Sequence, residues 1–393
     1  MKVAIVHYWL VTMRGGEKVL EALCDIFPDA DIITHVVDRN AVSDKILSHN
    51  IKTTFISKLP MAKRLYQSYL PLMPLALEQV DMREYDLVIS CESGPAKGII
   101  PAPNALHVCY CHSPMRYVWN MYHDYRASAG LLSRITMPFL THYLRNWDQG
   151  AAARVDAFIA NSHAVAERIM KYYRRESTVI HPPVDLDTFS PVAAEEVGED
   201  YVMVGELVRY KRPDLAVEAF NRSGKRLVVM GGGQMLNEIR QMAGPTVDVR
   251  GAVGLDELHY RLARAKALVF PGEEDFGIVP VEALACGRPV IAFGRGGALD
   301  TVVDGVTGIT FNEPTVESLL DAITRFEAHS FDTGRILRFA ATFSRERFCS
   351  QIEEFIGAKL AERSRGRRPP VHAAALGPIG NDTMPPRHAS GKN

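Results

Sequence analysis

The sequence predicts an α/β protein made of two doubly wound, parallel-sheet domains that face a cleft. Three observations carry this. Short apolar runs alternate with helical patterns along most of the chain, the signature of parallel sheets covered by helices. The alternation stops at a Pro-rich and acidic stretch near the middle and then restarts. The length of 393 residues suits two or three domains of ordinary size.

In the first half the apolar runs predict strands at 2–7, 30–35, 86–90, 105–110, 155–160 and 177–181. Helical patterns lie between them, including 16–26, 131–152 and 162–172. The half ends at His181-Pro182-Pro183-Val184-Asp185, followed by acidic residues up to Asp200. Two prolines disfavour helix and clustered charge stays solvated, so the linker is placed here. The second half restarts at Tyr201-Val202-Met203-Val204, with further strands at 226–230, 247–250, 267–270, 289–293 and 308–311. Pro213 stands where a helix begins, a position its fixed φ favours. A last helix near 344–362 closes the fold. From Arg363 the chain is rich in Arg, Pro, Gly and Ala without periodicity, which predicts a basic disordered tail. The expected organisation is a first domain over 1–184, a linker over 185–200, a second domain over 201–343, a closing helix over 344–362 and a tail over 363–393. Open sheets of this kind take ligands at the carboxyl ends of their strands, so the cleft is the expected site.

Composition narrows the function classes. Apolar residues make up 47% and charged residues 23%, which excludes a disordered chain. Forty-five Lys+Arg against 46 Asp+Glu give a net charge of -1, which argues against a nucleic-acid binder. No run of about 18 apolar residues is present to span a bilayer. The start, MKVAIVHYWL, reads as a first strand, not a signal peptide, and a cytoplasmic protein is expected. Six scattered Cys fit buried thiols in a reducing compartment. Cys109 and Cys111, followed by His112, lack a second ligand pair, and no metal site is expected.

The segment from Phe270 to Glu282 carries the sharpest chemistry. A strand ends, a turn follows, and a helix starts near Gly277. The N–H groups of Gly277, Ile278 and Val279 then lie free at a helix N-terminus, where donors and dipole suit a phosphate. Glu274 and Glu282 would repel that phosphate, so they are better used accepting hydrogen bonds from hydroxyls on either side of it. Sugar, diphosphate and ribose in that order describe a nucleoside diphosphate sugar. Taken alone, the segment also fits an acidic loop and a solvated helix face. Gly15-Gly16, between the first strand and the first helix, fits an ordinary tight turn. It is not the G-x-G-x-x-G of dinucleotide binding, so a nicotinamide role is not supported.

Further segments change the balance. With Glu274-Asp275-Phe276-Gly277 and Glu282 stand Ala285 to Ala292, Gly294 to Gly308, Tyr210 to Phe220, and His181 to Asp185. In these the chain resembles the retaining glycosyltransferases of family 4, nearest to bacterial mannosyltransferase-like members that build O-antigen and exopolysaccharide. The resemblance implies the GT-B fold, two Rossmann-like domains with a C-terminal closing helix. It implies that Glu274 binds hydroxyls of the transferred sugar and Glu282 the ribose. Backbone amides around Phe276, Gly277, Ile278 and Val279 would hold sugar and phosphate, and Lys211 matches the phosphate-binding lysine. By the same resemblance Gly15 and Gly16 lie beside the diphosphate, Gly231 and Gly232 line the nucleoside pocket, and His112 reaches the donor sugar. The family usually has an Arg directly after the glycine of Gly205-Glu206-Leu207. Here Glu206 stands there, and Arg209 is the expected substitute, since its planar fork can bridge phosphate oxygens. Arg116, Tyr117 and Trp119 are expected at the acceptor, because aromatic faces and Arg forks suit sugars and phosphates.

The expected activity is therefore metal-independent, retaining transfer of a hexose from a nucleotide sugar, GDP-mannose first. The expected acceptor is a glycan or a polyprenyl-diphosphate-linked glycan in bacterial surface polysaccharide synthesis. No Asp-x-Asp pair is placed to hold a nucleotide-bound cation. Residues 55–73 mix basic, aromatic and aliphatic side chains; they lie in a membrane interface or pack their apolar side on the domain. Lipid-linked acceptors make peripheral contact with the inner membrane face an expectation. Two rival readings keep the fold: a nucleotide-sugar epimerase, and a non-catalytic partner subunit, which Glu206 favours.

Overall fold

The computed structural model describes residues 1–91 and 94–366. The first domain is built on a seven-stranded sheet of β1 (Val3–His7), β2 (Asp31–Thr34), β3 (Ile51–Thr53), β4 (Leu87–Cys91), β5 (Leu106–Cys111), β6 (Ala157–Ala160) and β7 (Ser177–Val179). Its order is β3-β2-β1-β4-β5-β6-β7, parallel throughout. The second sheet has six parallel strands, β8 (Tyr201–Val204), β9 (Leu227–Met230), β10 (Val247–Gly251), β11 (Ala267–Phe270), β12 (Val290–Phe293) and β13 (Gly308–Phe311). They are ordered β10-β9-β8-β11-β12-β13. The central strands are buried along their whole length, which is why they read as unbroken apolar runs. Strand β3 was not anticipated. It is a three-residue edge strand, Ile-Lys-Thr, without a fully buried residue to mark it.

The helices that matter for the cleft and for the first domain's core are α1 (Gly15–Ile26), α2 (Leu131–Ala153), α3 (His163–Tyr173), α4 (Ile278–Ala285) and α5 (Arg345–Gly366). Winding reverses between β1 and β4 in one sheet and between β8 and β11 in the other. Crevices open at the carboxyl ends of strands at such reversals. The loops after β1, β8, β9 and β11 therefore surround one cleft between the domains. Among the described residues no helix is long and apolar enough to cross a membrane.

The closing helix belongs to the first domain. Phe348, Ile352 and Ile356 of α5 are buried in the core that holds β1, β4, β5 and α1, and the Phe348 ring meets Tyr110 at 5.7 Å. This helix runs to Gly366, so the stretch read as a tail from Arg363 begins as helix. The Arg363 guanidinium bonds Asp156 and the Pro103 carbonyl, which hold that last turn. The remainder of the tail, from 367, lies outside the described residues. The linker is structured too: Phe189 is buried in the second domain's core, and Glu196 and Glu199 pair with Arg264 and Lys266. Residues 55–78 form short helical turns whose Ile56, Ala62 and Ala76 pack against Val36.

Candidate active-site cleft

Strand β11 ends at Phe270, and the loop after it turns into α4 at Gly277. Gly277 has φ 85, a region that side-chain-bearing residues rarely occupy, and this lets the chain turn sharply into the helix. The first-turn amides of α4 lack partners within the helix. Phe276 itself is not a wall of the cleft. Its ring is buried, stacks on His181 at 5.4 Å and packs on Phe343, so only its backbone is available for binding.

The loop carries Glu274, whose Oε1 lies 2.8 Å from Lys211 Nζ. Two residues singled out from distant segments thus form one ion pair. Gly297 N–H donates to the Glu274 carbonyl at 2.8 Å and fixes the loop from behind. From the front, the first domain clamps it. Arg168 of α3 pairs with Asp275, Arg116 reaches the same carboxylate at 3.5 Å, and Ser162, the N-cap of α3, donates to the Asp275 carbonyl. Ser162 and Arg168 were not singled out from the sequence, because isolated polar residues carry no local pattern, and Asp275 stood in the Glu274-Asp275-Phe276-Gly277 segment without a role; the docking of the two domains brings the three together.

The opposite wall is the start of α1. A Cβ at Gly15 would sit 2.5 Å from Ile278 Cδ1, so glycine is what allows the N-termini of α1 and α4 to approach across the cleft. Gly16 lies in the first turn of α1. The N-cap residue Arg14 reaches over to Glu206 at 3.4 Å. Here the cleft opens into a cavity of about 640 Å³ lined by Arg14, Gly205, Glu206, Tyr210, Lys211 and Gly231 to Gly233. Arg209 does not line it. The short turn over Arg209–Lys211 puts Tyr210 and Lys211 inward and leaves Arg209 exposed. The arginine facing Glu206 comes from the other domain, as Arg14, and not from the expected Arg209.

Glu282, in the second turn of α4, lines an adjoining pocket with Asp185, Lys18 and Ser344. Burial pushes its carboxyl up to about 7, with the charge of Asp185 adding to the effect. His112, just past β5, lies with Nε2 3.5 Å from Cys91 Sγ and its ring edge-on to Tyr110.

The three acceptor candidates separate. Arg116 stacks over Tyr210 at 5.0 Å and serves the interdomain clamp. Tyr117 donates to Met115 Sδ at 3.1 Å, beside Gly94. Trp119 packs within the first domain. It stacks on Tyr172 at 4.8 Å and spends its N–H on Asp148 at 2.8 Å. Asp148 is fully buried and also accepts from Tyr173 at 2.7 Å and pairs with buried Lys97. This network was not anticipated, and it explains Trp119 as a structural brace.

Among the described residues one group brings three metal-ligating side chains within 4.8 Å of one another: His163, His181 and Asp300. Its members already have partners. His163 donates its backbone N–H to Asp300 at 2.8 Å and its ring nitrogen lies 2.5 Å from the same carboxylate. His181 Nδ1 is bonded to the Asn161 carbonyl. The group acts as a second brace between the domains.

Comparison with known proteins bears on both domains. Residues 13–188 match the family described as Glycosyltransferase Family 4, and residues 186–337 match glycosyl transferases group 1. A D-inositol 3-phosphate glycosyltransferase of Mycobacteroides abscessus is 29% identical over 255 residues, 58% of this chain and 57% of that protein. That of Mycobacterium tuberculosis strain H37Ra is 32% identical over 259 residues, 56% and 52% of the two chains. The chain thus spans about half the length of the curated relatives it matches. Among solved structures, Anabaena HepE in complex with UDP superposes with a TM-score of 0.67 at 16% identity, over 91% of this chain and 100% of that one. Sucrose-phosphate synthase from Thermosynechococcus elongatus gives 0.69 at 18%, over 92% and 100%. The chain has the GT-B fold, with a first domain that matches glycosyltransferase family 4 and a second that matches glycosyl transferases group 1.

Proposed function

We propose that this protein is a retaining glycosyltransferase that moves a hexose from a nucleoside diphosphate sugar to a hydroxyl of a glycan or lipid-linked glycan. The observation that carries the reading is the Lys211–Glu274 pair at the mouth of two facing helix N-termini, with Arg14 opposite. Without donor, Lys211 and Glu274 neutralise each other. With donor, Lys211 turns to the diphosphate and Glu274 accepts from hydroxyls of the sugar. As the bond from the anomeric carbon to the diphosphate breaks, negative charge grows on the departing oxygen. In this reading Lys211, Arg14 and the first amides of α4 stabilise that charge, and no metal is required. The acceptor oxygen bonds to the anomeric carbon on the face the diphosphate leaves, and its proton passes to the departing phosphate oxygen. Glu282 takes the ribose hydroxyls, Gly231 and Gly232 lie against the nucleoside, and His112 approaches the sugar. The sequence resemblance favours GDP-mannose and surface polysaccharide synthesis, while the neighbour HepE holds UDP.

Thermal shift with GDP, UDP and ADP, each with and without EDTA, tests the donor. A nucleotide at about 100 times its Kd stabilises by roughly 2.7 kcal/mol. One base is expected to shift the melt, unaffected by EDTA. With the matching sugar nucleotide, Glu274→Ala is expected to keep nucleotide affinity and lose about 100-fold or more in turnover. No shift with any nucleotide refutes the donor reading, and unchanged turnover removes Glu274 from the sugar site.

A further inference from the structure

We propose that His163, His181 and Asp300 form a binding site for a divalent transition metal of the zinc type, and that the bound ion locks the two domains together at the loop around Asp275. The inference rests on side-chain geometry and does not depend on the sugar-transfer reading. Each domain supplies part of the set. His163 opens α3 and His181 follows β7, both in the first domain, while Asp300 lies in the short turn Ala298–Thr301 of the second. One ligand atom from each stands within 4.8 Å of the other two. Four-coordinate zinc holds its ligand atoms roughly 3.3 Å apart. The His163 side chain is 73% exposed, so a small rotation of its ring closes the set.

The partners these residues already have orient them for a cation. A carbonyl oxygen only accepts, so the bond of His181 Nδ1 to the Asn161 carbonyl at 3.1 Å puts the proton on Nδ1 and leaves the Nε2 lone pair for a metal. Acceptors of this kind fix the ring of most metal-bound histidines. Asp300 is anchored through Oδ2 by the His163 backbone N–H at 2.8 Å, which leaves Oδ1 to the ring nitrogen and the ion. The Asp300 side chain is only 7% exposed, and among the described residues no lysine or arginine pairs with it. Two imidazole nitrogens and one carboxylate oxygen, with a fourth position on the solvent side, suit zinc; magnesium and calcium take oxygen ligands.

Placement decides what the ion does. His163 directly follows Ser162, whose hydroxyl donates to the Asp275 carbonyl, and heads the helix whose Arg168 pairs with Asp275. The His181 ring stacks on Phe276 at 5.4 Å. Asp300 stands three residues after Gly297, whose N–H holds the Glu274 carbonyl. All three ligands therefore adjoin the loop that carries Glu274. A bound ion adds coordinate bonds between the domains at this loop and slows the opening of the cleft.

The test uses the full chain, stripped with EDTA and desalted, with Zn²⁺ and Co²⁺ as probes. Calorimetry is expected to show one Zn²⁺ bound per chain, and Co²⁺ to give the visible absorption of a four-coordinate nitrogen and oxygen site that Zn²⁺ then bleaches. His163→Ala and Asp300→Asn are each expected to lose at least about tenfold in Zn²⁺ affinity. The His163 ring is exposed, so its removal leaves the fold intact and keeps the test valid if the Asp300 variant is unstable. Zn²⁺ is expected to slow hydrogen exchange across residues 274–277 in the wild type and to leave it unchanged in His163→Ala. Wild-type chain that binds no Zn²⁺ overturns the proposal, and so do variants that bind as tightly as wild type. A thiolate-to-Co²⁺ band that both variants keep assigns the metal to cysteine instead. Binding lost on removing residues 367–393 but kept in both variants assigns it to His372 and His388. Zn²⁺ bound through His163 and Asp300 without slower exchange at the loop overturns the lock.

Discussion

Glu282 offers a test in which stability and ligand binding answer together. Its carboxyl is pushed from 4.5 up to about 7 by burial in the folded chain. Between those two values the folded state keeps a proton that the unfolded state has released. Stability therefore falls as pH rises through this window and stays reduced above it. One unit corresponds to about 1.4 kcal/mol, so the full shift sets a ceiling of roughly 3 kcal/mol. Glu282 lines an open pocket, and water there screens the charge, which brings the expected cost to about 1–3 kcal/mol. Glu282→Gln removes the titration while keeping shape and one acceptor. Denaturant unfolding at pH 4.5 should show no gain for the variant, and at pH 8.5 a gain of about 1–3 kcal/mol over wild type. Ribose hydroxyls donating to the carboxylate favour its ionised form. Nucleotide binding to the wild type should then strengthen from pH 6 to 8 and release a proton near pH 7, read by calorimetry in two buffers of different ionisation enthalpy. A stability difference that is the same at both pH values refutes the reasoning about burial. A gain of stability with unchanged nucleotide affinity would leave the burial argument standing and remove Glu282 from the ribose site.

Two further expectations come from particular contacts. Arg14→Ala should weaken nucleoside diphosphate binding by about 1.5–3 kcal/mol, the worth of a charge-assisted hydrogen bond, whereas Arg209→Ala should change it by less than about 0.5; an equilibrium titration giving the reverse order would restore Arg209. Asp148→Ala leaves the Lys97 ammonium buried without its partner and should cost about 3–5 kcal/mol in denaturant unfolding. A cost under about 1 kcal/mol would show that the Lys97, Trp119 and Tyr173 network is not a brace.

The alternation of apolar runs and helical patterns was enough to place twelve of the thirteen strands and the closing helix, because strands buried on both faces must be apolar throughout. Edge strand β3 escaped, since an exposed Ile-Lys-Thr has no such pattern. The turn chemistry around Gly277 and the spacing to Glu282 were equally local, so the helix N-terminus facing the cleft was legible from sequence. Which cation faces Glu206 was not. Arg209 lies three residues away along the chain but does not line the cavity, while Arg14 is brought in by the docking of the other domain. The same holds for the clamp of Arg116, Ser162 and Arg168 on the loop at Asp275 and for Trp119, whose N–H is consumed by Asp148. Local sequence determined most of the strands, the closing helix and the turn into α4, because periodicity and glycine placement are properties of neighbouring residues. Tertiary structure alone decided which charges meet, because ion pairs and shared faces depend on the packing of elements separated by a hundred residues or more.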